Sequence, residues 1–526
     1  MTTSVQSPLS RAIRNAYKKK EEDETLSPLV LTGTSGGPLG RIKKGDAVIF
    51  YNIRGEREIE LTRSLTEKRF DEFPVESDME LNFATMIEYR KGLNVHVAFP
   101  PEDTLEDTLS EVIARHEFKQ TKITEAEKAV HLNFFLNGKN DAPFPGEERI
   151  IVPTRKDIAL FDEAPEMSIR EVTKNILDKI RDPSCNFIFA NFPNVDVVGH
   201  IENEKAIIRA IEEVDKCTGI VLDACLREGI STIVCADHGT VEKWRYPDGT
   251  IDTGHTDSLV PFILIHTGNG LSLRHGGELS DIAPTIFHLI GIPKPAAMTG
   301  ISLIEQRGIT ECRRLLLLVL DGWGIGERNP ANLFTKARTP TMDKLLERYP
   351  HTELMASGEA VGLPAGTVGN SEAGHLHIGA GRHLYSDRVK IDRAIVDGSF
   401  FRNAAFLDVM RTAVKKNAPL HLLGIVSFFS SHGSLNHLFA LMELAKKEGV
   451  KEVFLHSMLG RRGELPESGA HYIETIEEKS REMNSGKVVS VIGRYWAMDR
   501  EGNWDRIEKT YRMLVYGEGT AVRGEV

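Results

Sequence analysis

The chain has 526 residues, 41% of them hydrophobic and 27% charged, with a formal charge of −11. Its length calls for about two to four domains, each with its own core. The acidic balance argues against nucleic acid or an anionic membrane surface as a partner, and no apolar run approaches the ~18–20 residues of a membrane span.

Pro8–Tyr17 reads as a short helix and Lys18–Glu24 as its solvated, mixed-charge end. Leu26–Gly40 reads as a Gly- and Pro-punctuated loop, and Asp46–Tyr51 as a strand. In Asn52-Ile53-Arg54-Gly55-Glu56-Arg57 two arginines stand three apart. If the helix suggested by Glu58–Leu65 begins early enough, both guanidinium groups share a face suited to phosphate or carboxylate. Asn94–Phe99 is strand-like, and Pro100-Pro101 with the acidic Glu102–Asp107 marks a linker. Thr108–His116 is expected as a helix and His131–Leu136 as a strand closed by Asn137-Gly138.

From Phe187 onward strands and helices alternate, which predicts α/β architecture with a parallel sheet. Phe187–Ala190 runs into Asn194-Val195-Asp196 and His200. The next helix carries Ile207, Ile211, Val214, Thr218 and Val221 at helical spacing. Thr232–Val234 ends in Asp237-His238, Gly254-His255-Thr256 precedes the strand Pro261–Ile265, and Asp281–Leu289 is an amphipathic helix. Arg314–Leu320 is a strong strand that stops at Asp321-Gly322-Trp323-Gly324. Ligands of open parallel sheets bind beyond the carboxyl ends of the strands. Asp196, His200, Asp237, His238, His255 and Asp321 all fall there, a set of oxygen and imidazole donors without soft sulfur. The five cysteines (Cys185, Cys217, Cys225, Cys235, Cys312) have no C-x-x-C spacing, and Cys235 reads as core packing in a reducing cytoplasm.

Gly369-Asn370-Ser371-Glu372-Ala373-Gly374-His375 is the stretch around which the rest is organised. Its glycines permit a tight turn and close approach, and a serine presented there needs a base or a metal to become a nucleophile. After the helix Met342–Tyr349 and this motif the alternation resumes. Ala418–Phe429 is strand-like, ending at Ser430-Ser431-His432-Gly433. The helix His437–Lys447 and the strand Glu452–Leu455 follow, then Arg461-Arg462 in a loop. Val488–Ile492 ends at Gly493-Arg494, ahead of Met498-Asp499-Arg500.

These motifs resemble those of cofactor-independent phosphoglycerate mutase, a family of the alkaline-phosphatase superfamily. The resemblance covers nearly the whole chain, in swapped order. The DGWG and nucleophile motifs that open the family stand here in Arg314–Gly519. The segment resembling Ser7–Asp46 onward, which the family places after them, comes first. The chain therefore resembles a circular permutation joined around residues 303–313.

The resemblance implies an α/β fold of two domains: a phosphatase-like domain over 104–384 and a substrate-clamping transferase domain from 385–526 with 1–103. It implies two divalent metal ions, manganese most often in this family. Asp196, His200 and His255 would hold one, and Asp321, Ser371, Asp237 and His238 the other. Arg54, Arg57, Lys128, His432, Arg462, Arg494 and Arg500 match substrate-binding positions, and Ser371 the catalytic nucleophile. The implied reaction interconverts 3- and 2-phosphoglycerate through a phosphoserine, without 2,3-bisphosphoglycerate, in a monomeric cytoplasmic enzyme with a small-molecule substrate. Two loops depart from the family. Its S-D-G-G-V-H-S-H loop appears as Ser427–Ser434, and its D-G-R-D loop as Gly460-Arg461-Arg462-Gly463, without either aspartate. A metal-dependent phosphatase or another phosphomutase on the same core, or a non-catalytic binding protein, are the alternatives.

Overall fold

The structure is a computed structural model that describes residues 7–101, 105–155, 157–158, 160–246, 248–266, 271–306, 308–428, 430, 432–460 and 467–524. The chain divides into two compact α/β units, one spanning 102–386 and the other 1–101 with 387–526.

The unit over 102–386 is built on a seven-stranded sheet. Its spatial order is His351–Leu354, Val260–Ile265, Ser231–Cys235, Leu315–Leu320, Phe187–Phe192, Gln120–Glu125 and Glu147–Val152. Five of these strands are mutually parallel, but Val260–Ile265 runs antiparallel to Ser231–Cys235 and pairs with His351–Leu354 on its other side. The expected all-parallel sheet is thus mixed. The chain returns from Cys235 to Val260 without a crossover helix, and a parallel return would need one. Leu315–Leu320 and Phe187–Phe192 are central and buried throughout. The helix Glu204–Arg227 buries Ile207, Ile211, Val214, Thr218 and Val221 on one face, as the spacing predicts.

His131–Leu136 is not a strand: His131–Phe135 forms a turn of π-helix. A short apolar run does not by itself distinguish the two structures. The strand is Gln120–Glu125, whose polar residues are all buried, most of their polar atoms with specific partners. Lys122, for example, donates to Asn137 and pairs with Glu147 at 3.3 Å.

The second unit carries an eight-stranded sheet in the order Thr520–Arg523, Leu29–Thr32, Lys487–Gly493, Val453–Leu459, Leu420–Ile425, Ala47–Phe50, Asn82–Ile87 and His96–Phe99. Leu29–Thr32 lies within the segment read as a loop. It pairs antiparallel with Lys487–Gly493 and parallel with Thr520–Arg523. The five cysteines are buried and unpaired. Among the described residues no helix is long and apolar enough to cross a membrane.

Candidate metal centre and nucleophile

Ser371 is the first residue of the helix Ser371–Ala380, whose N-cap Asn370 accepts from Ala373 N at 2.8 Å. The flanking glycines are required by close packing of the protein on itself. A Cβ at Gly369 would lie 2.2 Å from the Ala356 carbonyl, and one at Gly374 2.6 Å from that of Asp237. In the DGWG turn the need is conformational as well, since Gly322 has φ +81° and lies against the Asp196 backbone.

The Ser371 hydroxyl, on a residue 5% exposed, stands among charges. Its Oγ is 2.6 Å from Lys128 Nζ, 3.0 Å from His238 Nε2 and 3.3 Å from Asp321 Oδ1. Lys128 Nζ also donates to Asp196 Oδ2 at 2.7 Å and Asp321 Oδ1 at 2.9 Å. Around Asp196 Oδ1 lie His255 Nε2 at 3.1 Å, His200 Nε2 at 3.3 Å and His238 Nε2 at 3.6 Å.

The three imidazoles share one arrangement. His200 Nδ1 faces the Thr253 carbonyl at 2.6 Å, His238 Nδ1 that of Gly239 at 3.1 Å, and His255 Nδ1 that of Gly369 at 3.0 Å. A carbonyl only accepts, so each Nδ1 carries the proton and each Nε2 is turned into the cluster. Backbone partners commonly set metal-binding histidines this way.

The electrostatics follow from burial and proximity. Burial opposes charge on Asp196 and Asp321, but Lys128 and the adjacent histidines outweigh it and hold both carboxyls below the usual range. Burial likewise opposes charge on Lys128, and Asp321, Asp196 and Asp237 more than restore it, raising its pKa. Despite burial, His238 is raised to about 10, chiefly by Asp237 and Asp321.

The residues fit divalent cations. Asp196, His238 and His255 offer ligand atoms within 4.8 Å of one another, as do Asp237, Asp321 and His375. Asp237 Oδ2 is buried and forms no hydrogen bond, with His375 Nδ1 3.1 Å away, and is an acceptor of the kind a cation satisfies. Carboxylate and imidazole donors without thiolate suit hard or borderline ions.

His375 was not singled out from the sequence, although its spacing of four from Ser371 places both on one helical face. Its Nδ1 faces the Ser371 carbonyl at 2.9 Å and its Nε2 faces Asn191 Nδ2 at 3.2 Å. Nδ1 therefore bears the proton and Nε2 is taken by Asn191, so His375 acts here not as a ligand but as a tie from the backbone of Ser371 to Asn191, which donates to Asp321 Oδ2 at 2.8 Å. A cleft of about 710 Å³ opens on the cluster, lined by Lys128, His131, His200, His255 and Ser371 with the apolar Phe161 and Ile201.

The other sequence-derived residues are distributed differently. Lys128, grouped by resemblance with the substrate positions, sits on Ser371 itself. Arg54 and Arg57 precede the helix Ile59–Thr66 and do not share a helical face. Arg54 pairs with Glu56 at 2.9 Å, and Arg500 reaches the same Glu56 at 3.2 Å. Arg57 donates to the Met498 carbonyl at 3.1 Å, while His432 Nδ1 lies 3.3 Å from the buried Glu58. Arg494 stands 3.8 Å from Glu24. Arg462 lies outside the described residues.

Residues 28–294, just over half the chain, match the family model for the Metalloenzyme superfamily. The chain belongs to the Metalloenzyme superfamily. Residues 391–525 match the model described as the BPG-independent PGAM N-terminus. A protein of Moorella thermoacetica is 41% identical over 299 residues, covering 56% of this chain and 57% of that protein. One of Syntrophotalea carbinolica is 40% identical over 296 residues, with the same shares. Both are named 2,3-bisphosphoglycerate-independent phosphoglycerate mutase. The chain thus spans little more than half the length of the curated relatives it matches. A crystal structure of Leishmania mexicana phosphoglycerate mutase is 28% identical, covering 51% of this chain and 52% of its own, with a TM-score of 0.37. Clustered, backbone-oriented Nε2 donors beside buried carboxylates are consistent with what the superfamily's name describes.

Proposed function

We propose that the chain is a 2,3-bisphosphoglycerate-independent phosphoglycerate mutase with Ser371 as nucleophile. The observation that carries this reading is the Ser371 hydroxyl held between Lys128 Nζ, His238 Nε2 and Asp321 Oδ1. The names of the relatives supply the substrate class.

In this reading Asp196, His200 and His255 would hold one divalent ion, and Asp321, Ser371, Asp237 and His238 the other. Two bound ions, manganese by resemblance, would lower the pKa of the serine hydroxyl and offset charge on the phosphoryl group. Ser371 Oγ bonds to phosphorus as the bond to the 3-oxygen of the glycerate breaks, and Lys128 Nζ steadies the charge beside it. The resulting phosphoserine returns its phosphoryl group to the 2-hydroxyl of the same glycerate. Arg54, Arg57, His432, Arg462, Arg494 and Arg500 hold that glycerate, so that transfer outruns hydrolysis.

The domains proposed are 104–384 for phosphoryl chemistry and 385–526 with 1–103 for the substrate, in circularly permuted order. The positions of the two family matches support that order. The model described as an N-terminus falls at 391–525, after the Metalloenzyme match at 28–294. A linear alignment of a permuted chain also recovers only part of each relative. The same reading makes the enzyme cytoplasmic and monomeric.

A phosphatase on the same core is favoured by one observation, the loss of both aspartates from Gly460–Gly463. Manganese-loaded protein assayed with 3-phosphoglycerate, without 2,3-bisphosphoglycerate, separates the two. We expect 2-phosphoglycerate without free phosphate, abolished by Ser371→Ala and by chelator. Phosphate without isomer would establish the phosphatase, and neither product would refute both.

A further inference from the structure

Glu242 is a buried carboxylate that no step above uses. It is 1% exposed, and its partners are a backbone amide and a hydroxyl rather than a cation. Oε2 accepts from Thr240 N at 3.0 Å, two residues beyond His238. Oε1 accepts from the hydroxyl of Thr256, the residue after His255. Those two loops also meet directly, Thr256 N donating to the Gly239 carbonyl at 3.1 Å. Thr240 Oγ1 reaches on to Asp196 Oδ1 at 3.4 Å.

Three glycines make room for this side chain. A Cβ at Gly239 would lie 2.3 Å from Glu242 Oε1, one at Gly324 2.3 Å from its carboxyl carbon, and one at Gly326 2.8 Å from its Cβ. Gly324 closes the Asp321-Gly322-Trp323-Gly324 turn, so the loop bearing Asp321 is shaped around the same carboxylate. Burying an acid is costly unless its lone pairs are satisfied. Here the donors that satisfy them come from the loops of two ligand groups, with the third loop packed against it.

We propose that Glu242 is a positioning residue for the metal centre, fixing the spacing of the loops that carry Asp237-His238, His255 and Asp321. It touches no reacting atom and acts through Thr240, Thr256 and the packing of the DGWG turn. The inference rests on the reading of the cluster as a metal site.

The test is manganese binding by titration calorimetry to chelator-stripped protein, with urea denaturation of each stripped variant alongside. Glu242→Ala is expected to weaken binding about 10–100-fold, the usual consequence of losing an outer partner of metal ligands. Glu242→Gln can still accept from Thr240 N and, through its NH2, donate to the Thr256 oxygen. It should stay within about threefold of wild type, the scale of one exchanged hydrogen bond. Rescue by Gln but not by Ala, at equal stability of the stripped proteins, separates positioning from general core stability. Wild-type affinity in Glu242→Ala overturns the proposal, and equal losses in both variants overturn it in favour of a charge effect. Should Glu242→Ala not fold, Glu242→Asp takes its place. Shorter by one methylene, it cannot reach both loops, and wild-type affinity there is equally fatal. Asp196→Asn serves as control. If it binds manganese as wild type does, the metal-site reading itself fails. If it weakens while Glu242→Ala does not, only the role of Glu242 fails.

Discussion

The candidate metal cluster and the arginines of the other unit are both dense in charge, yet they are organised in opposite ways. In the cluster the protein itself holds the three imidazoles and two of the carboxylates. Each imidazole is set by a backbone carbonyl, and Asp196 and Asp321 share one lysine. Arg54 and Arg500 share Glu56 at the surface, with side chains about half exposed. Exposed pairs of that kind are worth about 0–1 kcal/mol and hold no fixed geometry. The first region is built before any ligand arrives, whereas Arg54 and Arg500 share only a surface carboxylate and can be reordered by an anion.

The largest effect should come from Ser371, the nucleophile proposed above. Ser371→Ala is expected to lower isomerisation on the order of 10⁴-fold or more while leaving manganese binding measurable by calorimetry. A residual rate within tenfold of wild type would remove Ser371 from the chemistry. Next comes the shared lysine. Lys128→Met strands Asp196 and Asp321 without their cation, and breaking a buried pair in this way costs about 3–5 kcal/mol. Urea denaturation in chelator should read that loss, and a change below about 1 kcal/mol would put the cluster in the same class as the surface arginines.

A third experiment contrasts buried carboxyls with and without a cation. Glu125 is buried, accepts from Ser168 N at 3.0 Å, and has its other oxygen unpartnered. Burial raises its carboxyl to about 7. Between about pH 4.5 and 7 the unfolded chain gives up this proton while the folded chain keeps it. Stability therefore falls across that window, by about 3 kcal/mol in total, and at higher pH the loss persists without further slope from this group. Glu125→Gln should remove that part of the slope, measured by urea denaturation at pH 5 and pH 8. An unchanged slope would contradict the assignment. The smallest effect on stability belongs to Arg500→Ala, below about 1 kcal/mol. The same substitution should raise KM for 3-phosphoglycerate about tenfold, the scale of one charged hydrogen bond. A large stability loss with KM unchanged would reverse the comparison.

What the sequence revealed tracks how simply each segment is stabilised. Leu315–Leu320 and Phe187–Phe192 are apolar because both faces are covered, and Asp321, Asn194 and Asp196 follow directly at their carboxyl ends. Gln120–Glu125 escaped notice because its burial is sustained by specific partners of Thr121, Lys122 and Thr124. Such partners lie far along the chain and leave no periodicity. Leu29–Thr32 was hidden by neighbouring glycines and prolines, although its ladder is formed by Lys487–Gly493 and Thr520–Arg523. At the candidate site, carboxylates and histidines after strands were visible as types in a pattern. The tautomers, the tie through His375 and the role of Glu242 depend on atoms meeting across loops, which spacing does not encode.

The arrangement of the eight-stranded sheet sets an order of events during synthesis. Residues 102–386 are contiguous, so that unit has all its strands as soon as His351–Leu354 and the helix of Ser371 have been made. The other unit begins first and finishes last. Ala47–Phe50 must wait for Leu420–Ile425, and Leu29–Thr32 for Lys487–Gly493 and then Thr520–Arg523. Ala47–Phe50, Asn82–Ile87 and His96–Phe99 pair with one another early, but throughout that interval Leu29–Thr32 and the open edge of Ala47–Phe50 lack their partners and are exposed to association with other chains. The half of the molecule that carries the arginines is therefore the half whose yield should depend most on chaperones and on growth temperature.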